Sequence, residues 1–284
     1  MKKIWMIILC VFLFSCKTAP ETKNFIQLKY PVILVHGIIA HDRKVMFSFW
    51  GRIPQVLEEN GVQVFFGNTD AWGNYESNAE ILKNTVDAVL SETNSEKVNI
   101  ISHSKGGLDS RYFLWKYDYG DKVASLTTIS TPHRGAELAD VIWEQPVIHS
   151  DVSKDTLDLF GHLYGDVHPD MYNIVYDLST VNMKDFNNEV ILDPNVFFQS
   201  MYTTMNKADN DPILTASYRY IRDVRGANDG VVSEYSASWG DNVIRIDGGI
   251  SHHDIIDLRM KNISGLDIPK IYLQIVRDLA ARGF

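Results

Sequence analysis

From about residue 30 to residue 130, short unbroken apolar runs alternate with stretches of helical periodicity. Pro31-Val32-Ile33-Leu34-Val35 ends at His36-Gly37 and has the pattern of a strand buried on both faces. A helix is expected from about Phe47 to Asn60, stopped at Gly61, and a second strand from Val62 to Phe66. Ala79 to Leu90 carries a helical stripe of Ile81, Leu82, Val86 and Val89. Val98 to Ile101 reads as a third strand, Lys105 to Tyr117 as a helix and Val123 to Ile129 as a fourth strand. From Thr131 to about Asn195 the pattern breaks into aromatic, acidic and helical pieces with scattered Gly and Pro, where an inserted cap or lid is expected. Strand patterns return at Val196 to Tyr202, near Ser217 to Ile221 and at Val243 to Ile246, before an amphipathic helix from about Ile268 to Ala281. The alternation predicts an α/β fold with a mostly parallel central sheet flanked by helices.

The first fifteen residues, MKKIWMIILCVFLFS, pair two lysines with an apolar run from Ile4 to Phe14 that is too short to span a membrane. They read as a secretory signal. The run ends in Leu13-Phe14-Ser15-Cys16, similar to the bacterial lipobox, in which the cysteine becomes the lipidated first residue; ordinary cleavage before Pro20 is the alternative. The expected organisation is a signal peptide over 1–15, a tether over 16–24 and one domain over 25–284 with a cap insertion at about 135–195. The expected location is the cell envelope, with a membrane anchor at Cys16, or outside the cell. Two acyl signals or more suffice for stable anchoring. Both cysteines, Cys10 and Cys16, lie in this N-terminal segment, so the remaining chain must be stabilised by its core and not by disulfides. The chain has 284 residues, 45% hydrophobic content and a net charge of −9, enough for one sizeable core. It has no basic run of five or more residues, which argues against a nucleic-acid partner.

The stretch ISHSKGGLDSR at 101–111 nearly spells G-x-S-x-G, with Ser102 where that signature has Gly. A strand before Ser104 and a helix after it supply the context that makes Ser104 a candidate nucleophile. Side chains crowd that turn two positions either side of the serine, so a small Ser102 is tolerable. Such a serine requires a general base, a group to orient that base, and an oxyanion hole. In the chain order serine, acid, histidine, Asp229 in the Asx-type turn Ala227-Asn228-Asp229-Gly230 and His252 in Ser251-His252-His253-Asp254 follow. The backbone N–H groups of Lys105 and Ile38 are the expected oxyanion donors. The Lys105 side chain is expected to reach solvent, His103 and His133 to be packing residues, and Asp109 and Arg111 to form a local ion pair or cap. No Walker A loop, G-x-G-x-x-G or H-E-x-x-H occurs, which counts against nucleotide and zinc-protease chemistry.

The segments PVILVHGI at 31–38, FWGRIPQVLEENGVQVF at 49–65, KVNIISHSKGGLDSRY at 97–112, TPHRGAELAD at 131–140, LSTVNMKDFN at 178–187, ANDGVVS at 227–233 and HHDIID at 252–257 together resemble the bacterial triacylglycerol lipases of the α/β-hydrolase fold, the Pseudomonas and Burkholderia type. The resemblance implies Ser104 as nucleophile, Asp229 as orienter, His252 as base, and Ile38 and Lys105 as oxyanion donors. The H-x-D pattern of that family selects His252 over His253. It also implies a structural Ca²⁺ held by Asp254 and by Asp209, twenty residues before Asp229, with Asp211 a rival ligand; oxygen donors of this kind suit that ion. The implied activity is hydrolysis of a carboxylic ester, a lipase first, with a short-chain esterase, a phospholipase or a polyester depolymerase as alternatives. A non-catalytic envelope lipoprotein is the reading from a different class.

Overall fold

A computed structural model describes residues 25–38, 49–150, 166 and 168–284. The expected signal peptide, Cys16 and tether lie outside the described residues, as do 39–48, 151–165 and 167. Six strands form one sheet: β1 Val32–Val35, β2 Val64–Phe66, β3 Val98–His103, β4 Val123–Ile129, β5 Phe197–Thr203 and β6 Val243–Ile246. Every pairing is parallel, and the order across the sheet is β2-β1-β3-β4-β5-β6. The strands β1, β3 and β4 are buried along their whole length, as expected of a sheet covered on both faces. The edge strand β6 leaves Val243 and Ile244 exposed.

Two helical layers supply the covers. On one face, α1 (Ile53–Glu59) and the C-terminal α9 (Ile268–Ala281) close over Val32, Leu34, Ile101 and Ile129 with Trp50, Leu57, Tyr272 and Val276. On the other, α2 (Tyr75–Thr93) and α3 (Lys105–Tyr117) cover Ile33, Val35, Ile100 and Leu126 with Leu82, Val86, Leu108 and Phe113. The described part of the segment 135–195 is helical: α4 (Glu137–Trp143), a 3₁₀ turn over Pro146–His149, α5 (Met171–Asp177) and α6 (Asn182–Glu189). It is tied to the loop after β2, where Asp166 accepts from the amides of Ala71 and Trp72 and Asp70 accepts from His168 N at 2.7 Å.

The first helix starts later than its periodicity suggests, because Phe49 and Trp50 turn into the core ahead of a Pro54 start. The second is longer at both ends, with Asn74 capping Ser77 N and Asn94 closing it in the left-handed conformation. The strand expected at Ser217–Ile221 is instead the helix α7 (Thr215–Val224). Tyr218 and Ile221 bury at helical spacing, and the run of β-favouring residues there follows from that face and not from a pleat. The short helix α8 (Glu234–Ala237) follows. Among the described residues no helix is long and apolar enough to cross a membrane.

Candidate active site

The strand order reverses between β1 and β3, and in an open parallel sheet the crevice outside the strand ends at such a switch point is where ligands sit. Ser104 lies at the end of β3, beside the loop that leaves β1. Its φ of +55° and ψ of −130° put a non-glycine residue in a region that costs about 1–3 kcal/mol and is seen where surrounding structure enforces it. Three contacts enforce it here. Ser104 N donates to Ile129 O at 2.9 Å, which carries the β3–β4 ladder one residue past the strand. A Cβ on Gly37 would stand 2.7 Å from Ser104 Cβ, so the β1 loop passes against the serine only because residue 37 lacks a side chain. A Cβ on Gly106 would lie 2.3 Å from His36 O, so the first turn of α3 is pressed onto the end of β1. Ser102 is fully buried, and its hydroxyl shares a 2.7 Å hydrogen bond with Ser110 Oγ. The loop bearing Ile38 is fixed by His36, whose ring nitrogens contact Gly37 O at 2.6 Å and Thr69 O at 2.8 Å.

Asp229 and His252 come together. His252 Nδ1 and Asp229 Oδ2 are 2.8 Å apart and both residues are buried. Asp229 Oδ1 accepts from Val231 N at 3.0 Å and Val232 N at 2.8 Å, so its second oxygen is aimed at the ring. A backbone bond from His252 N to Asp229 O, 2.9 Å, ties the two loops together. Asn228 makes the expected Asx turn, accepting from Gly230 N at 2.9 Å. The His252 ring lies 4.4 Å, centroid to centroid, from His103, the residue before Ser104. Ser104 and His252 are not hydrogen-bonded here, and bonds of that kind commonly tighten only with substrate in place. His103 is a packing residue as expected, between Phe49 and His252, and burial with His252 and His253 nearby holds its pKa well below the usual histidine value. His253 turns away and meets Asp211 at 3.2 Å.

The Lys105 side chain does not reach solvent. The side chain is 4% exposed, and Nζ donates to Asp109 Oδ2 and to Gly73 O, each at 2.8 Å. The i, i+4 spacing puts ammonium and carboxylate on one helix face, and α2 packs over that face and buries both. Asp109 also accepts from Asn78 Nδ2 at 3.0 Å, and burial raises its pKa. Arg111 is therefore not its partner. The Arg111 guanidinium sits between Phe186 and Trp239 at 5.0 and 4.9 Å and donates to Asn187 Oδ1 at 2.9 Å. It also contacts His133 Nδ1 at 3.2 Å, and since arginine can only donate, that nitrogen accepts and Nε2–H donates to Thr128 Oγ1 at 2.9 Å. Burial drives the Arg111 pKa down to about 9 and that of His133 well below its usual value.

The donor set expected for Ca²⁺ does not fit that ion. Asp209 is exposed on a 3₁₀ turn, and both oxygens of the buried Asp254 are taken by the Arg259 guanidinium. The rival ligand Asp211 accepts from Ser251 Oγ at 2.9 Å and faces His253. Among the described residues no group of three or more His, Cys, Asp or Glu side chains is placed to hold a metal. Arg259, Thr69, Asn78 and Ser110 carried no sequence signal of their own: Thr69 and Asn78 serve His36 and Asp109 across segments distant in the chain, while Arg259 serves Asp254 within its own loop and Ser110 serves Ser102 from the helix that follows.

The family profile for palmitoyl protein thioesterases matches residues 31–211. The chain is 35% identical over 166 residues to a triacylglycerol lipase of Burkholderia plantarii, covering 56% of this chain and 45% of that protein. It is 30% identical over 262 residues to triacylglycerol lipase 2 of Saccharomyces cerevisiae, covering 84% of this chain and 74% of the yeast protein. The chain spans about half the length of the first two bacterial relatives it matches. The crystal structure of a mature Bacillus licheniformis lipase superposes with a TM-score of 0.65 at 22% identity, over 88% of this chain and 93% of that one, which shows a shared fold. With a parallel sheet whose switch point carries a strained serine, and with the profile match over residues 31–211, the chain belongs to the palmitoyl protein thioesterase family and has the α/β-hydrolase fold of its lipase and esterase neighbours.

Proposed function

We propose that the protein hydrolyses carboxylic esters through an acyl-enzyme, with Ser104 as nucleophile, His252 as general base and Asp229 holding the imidazole. The observation that carries the reading is the Asp229–His252 bond at 2.8 Å, with the His252 ring 4.4 Å from that of His103, the residue before a serine in a strained turn at the end of β3. The order of events follows from the donors available. Asp229 accepts from His252 Nδ1–H, which leaves Nε2 unprotonated and able to take the Ser104 proton as Oγ attacks the ester carbonyl. The backbone N–H groups of Ile38 and Lys105 are the proposed donors to the tetrahedral oxyanion. The leaving alcohol takes the proton from His252, and water, deprotonated by the same ring, then releases the acid.

A triacylglycerol lipase is the preferred form, because both the bacterial and the yeast relatives bear that name. The match to the thioesterase profile supports a second form, since a thioester is cleaved by the same acyl-enzyme with a thiol leaving instead of an alcohol. The apolar N-terminal run supports export, with Cys16 as the lipid-bearing residue, and mass analysis of the mature N-terminus tests it.

The decisive experiment is Ser104→Ala with p-nitrophenyl esters from acetate to palmitate, an emulsified triglyceride and palmitoyl thioester as substrates. The variant should lose at least about a thousandfold in turnover while melting as the wild type does. Unchanged ester hydrolysis by the variant would rule the mechanism out. Preference for the emulsion separates a lipase from a short-chain esterase, and preference for the thioester selects the second form.

A further inference from the structure

The loop that carries His252 is closed by a cation of its own chain. Asp254, two residues after His252, is a carboxylate whose side chain is fully buried, and burying such a group is costly unless it is paired. Arg259 supplies it: Nε donates to Asp254 Oδ1 at 2.5 Å and Nη2 to Asp254 Oδ2. The same Nη2 donates to Asn210 O at 3.1 Å, which joins the loop 251–259 to the turn 206–211. That turn is ordered by Asn210 Oδ1, which accepts from the amides of Asn206 at 3.2 Å and Lys207 at 2.9 Å. A second tie runs beside the first, since Ser251 Oγ donates to Asp211 Oδ2 at 2.9 Å and accepts from Asp254 N at 3.2 Å. His252 therefore lies between Ser251, tied to Asp211, and Asp254, tied through Arg259 to Asn210. Two carboxylate oxygens and a main-chain carbonyl are the donors a hard divalent cation would take, and here the planar guanidinium fork takes all three.

We propose that Arg259 is a positioning residue that replaces a structural metal ion: it holds the His252 loop through Asp254 and Asn210, and the native protein needs no Ca²⁺ for that purpose. The arrangement leaves a latent metal site beneath the guanidinium. With Arg259 removed, Asp254 and the Asn210 carbonyl are exposed to solvent beside Asp211, and Ca²⁺ can enter. The effect on turnover rests on His252 being the general base, as proposed above; the clamp itself is read from melting and metal binding.

The test compares wild type, Arg259→Ala, Arg259→Lys and Arg259→Ala/Asp254→Asn, each with EDTA and with CaCl₂ at about 5 mM, above the ~1 mM range of weak calcium modules. Wild type is expected to melt at the same temperature in both. Arg259→Ala should melt about 5 °C or more lower in EDTA, a shift appropriate to losing one partner of a buried ion pair. It should recover at least half of that shift with Ca²⁺, and isothermal titration should show binding that wild type and the double variant lack. In EDTA its kcat should fall tenfold or more with KM little changed, and Ca²⁺ should restore it. Arg259→Lys, which keeps the charge without the fork, should fall between and keeps the comparison readable if the alanine variant does not fold. A wild type that loses stability in EDTA and regains it with Ca²⁺, or an Arg259→Ala protein that melts like wild type, overturns the proposal. If no ester is hydrolysed by any variant, the function assigned above fails, while the melting and titration results still decide the clamp.

Discussion

Replacing Lys105 by methionine isolates the ion pair beneath the candidate nucleophile. The side chains of Lys105 and Asp109 are 4% and 0% exposed, and the ammonium also holds Gly73 O. Methionine keeps the stem's volume and removes the charge, leaving Asp109 with only Asn78 as a side-chain partner. Deleting one member of a buried pair costs about 3–5 kcal/mol, because the remaining charge stays desolvated. In a domain of this size that corresponds to a fall in Tm of about 6–15 °C. Burial already raises the Asp109 pKa, and losing the cation raises it further, so the folded variant binds a proton that the unfolded chain releases. The deficit should therefore shrink as pH falls, and urea unfolding of wild type and variant at several pH values measures it. Lys105→Met/Asp109→Leu should recover most of the loss, since an apolar pair needs no compensation. The backbone N–H of residue 105 survives the change while the tie to Gly73 is lost, so turnover per folded molecule should fall by about tenfold, far less than the loss expected of Ser104→Ala. A single variant within 1 kcal/mol of wild type, or a double variant as unstable as the single, would refute the buried pair.

Other perturbations test the frame around the site. Asp229→Asn should preserve the fold and lower kcat by about 10⁴, because the amide favours the wrong tautomer of His252; a loss below tenfold would remove Asp229 from the assigned role. Gly106→Ala places a methyl 2.3 Å from His36 O, which is main chain and cannot swing aside, so a loss of about 1–3 kcal/mol is expected in urea titrations together with reduced turnover. Asp177 is buried, its Oδ2 has no partner, and its pKa is pushed up to about 8 from 3.8. For an acid shifted upward, the folded state pays a penalty that grows as pH rises from about 4 to about 8 and is absent below. Asp177→Asn should thus gain on wild type by about 2–4 kcal/mol more at pH 8 than at pH 5, and a pH-independent difference would contradict the shift.

What could be read in the sequence follows from how locally each feature is determined. The doubly covered strands were legible because parallel strands buried on both faces are mostly apolar, as in Val32–Val35 throughout and in Val98–Ile101 at every position but Asn99. The candidate triad was legible because its order is fixed by the fold and Asp229 lies in an Asx turn that four residues specify. The segment 217–221 misled because tyrosine and isoleucine favour strands wherever they stand, and only the burial of Tyr218 and Ile221 on one helical face reveals the helix. The fate of the charged side chains was not legible at all. Lys105, Asp109 and Arg111 lie within seven residues on one amphipathic-looking helix, yet all three are buried, because α2 and the helices of the 135–195 segment close over a face that a single-helix pattern assigns to water.

Those buried charges and the strained serine belong together. A residue at φ +55° persists only where its neighbours cannot move, and apolar packing alone leaves a turn free to slide along a smooth surface. Directional bonds remove that freedom. Lys105 ties the residue after the serine to Gly73, His36 ties the β1 loop to Thr69, and Ser110 ties Ser102 to the first turn of α3. Each bond joins the elbow to a different element, so displacing Ser104 toward a relaxed conformation would break several at once, each at the cost of an unsatisfied buried group. Stability is given up in desolvating these groups, and the two large apolar clusters on either side of the sheet can absorb the loss. The prediction that separates this account from simple packing is the effect of Ser110→Ala. Ser110 Oγ is buried and reaches both Ser102 Oγ and Gly106 O at 2.7 Å. Its removal deletes one oxygen from a well-packed core and leaves the Ser102 hydroxyl without its partner, at about 1–3 kcal/mol. Were the elbow held by packing alone, the variant would lose stability and keep its turnover. If directional bonds hold it, kcat falls with stability, and Ser110→Cys, which fills the space without a strong donor, fails to restore it.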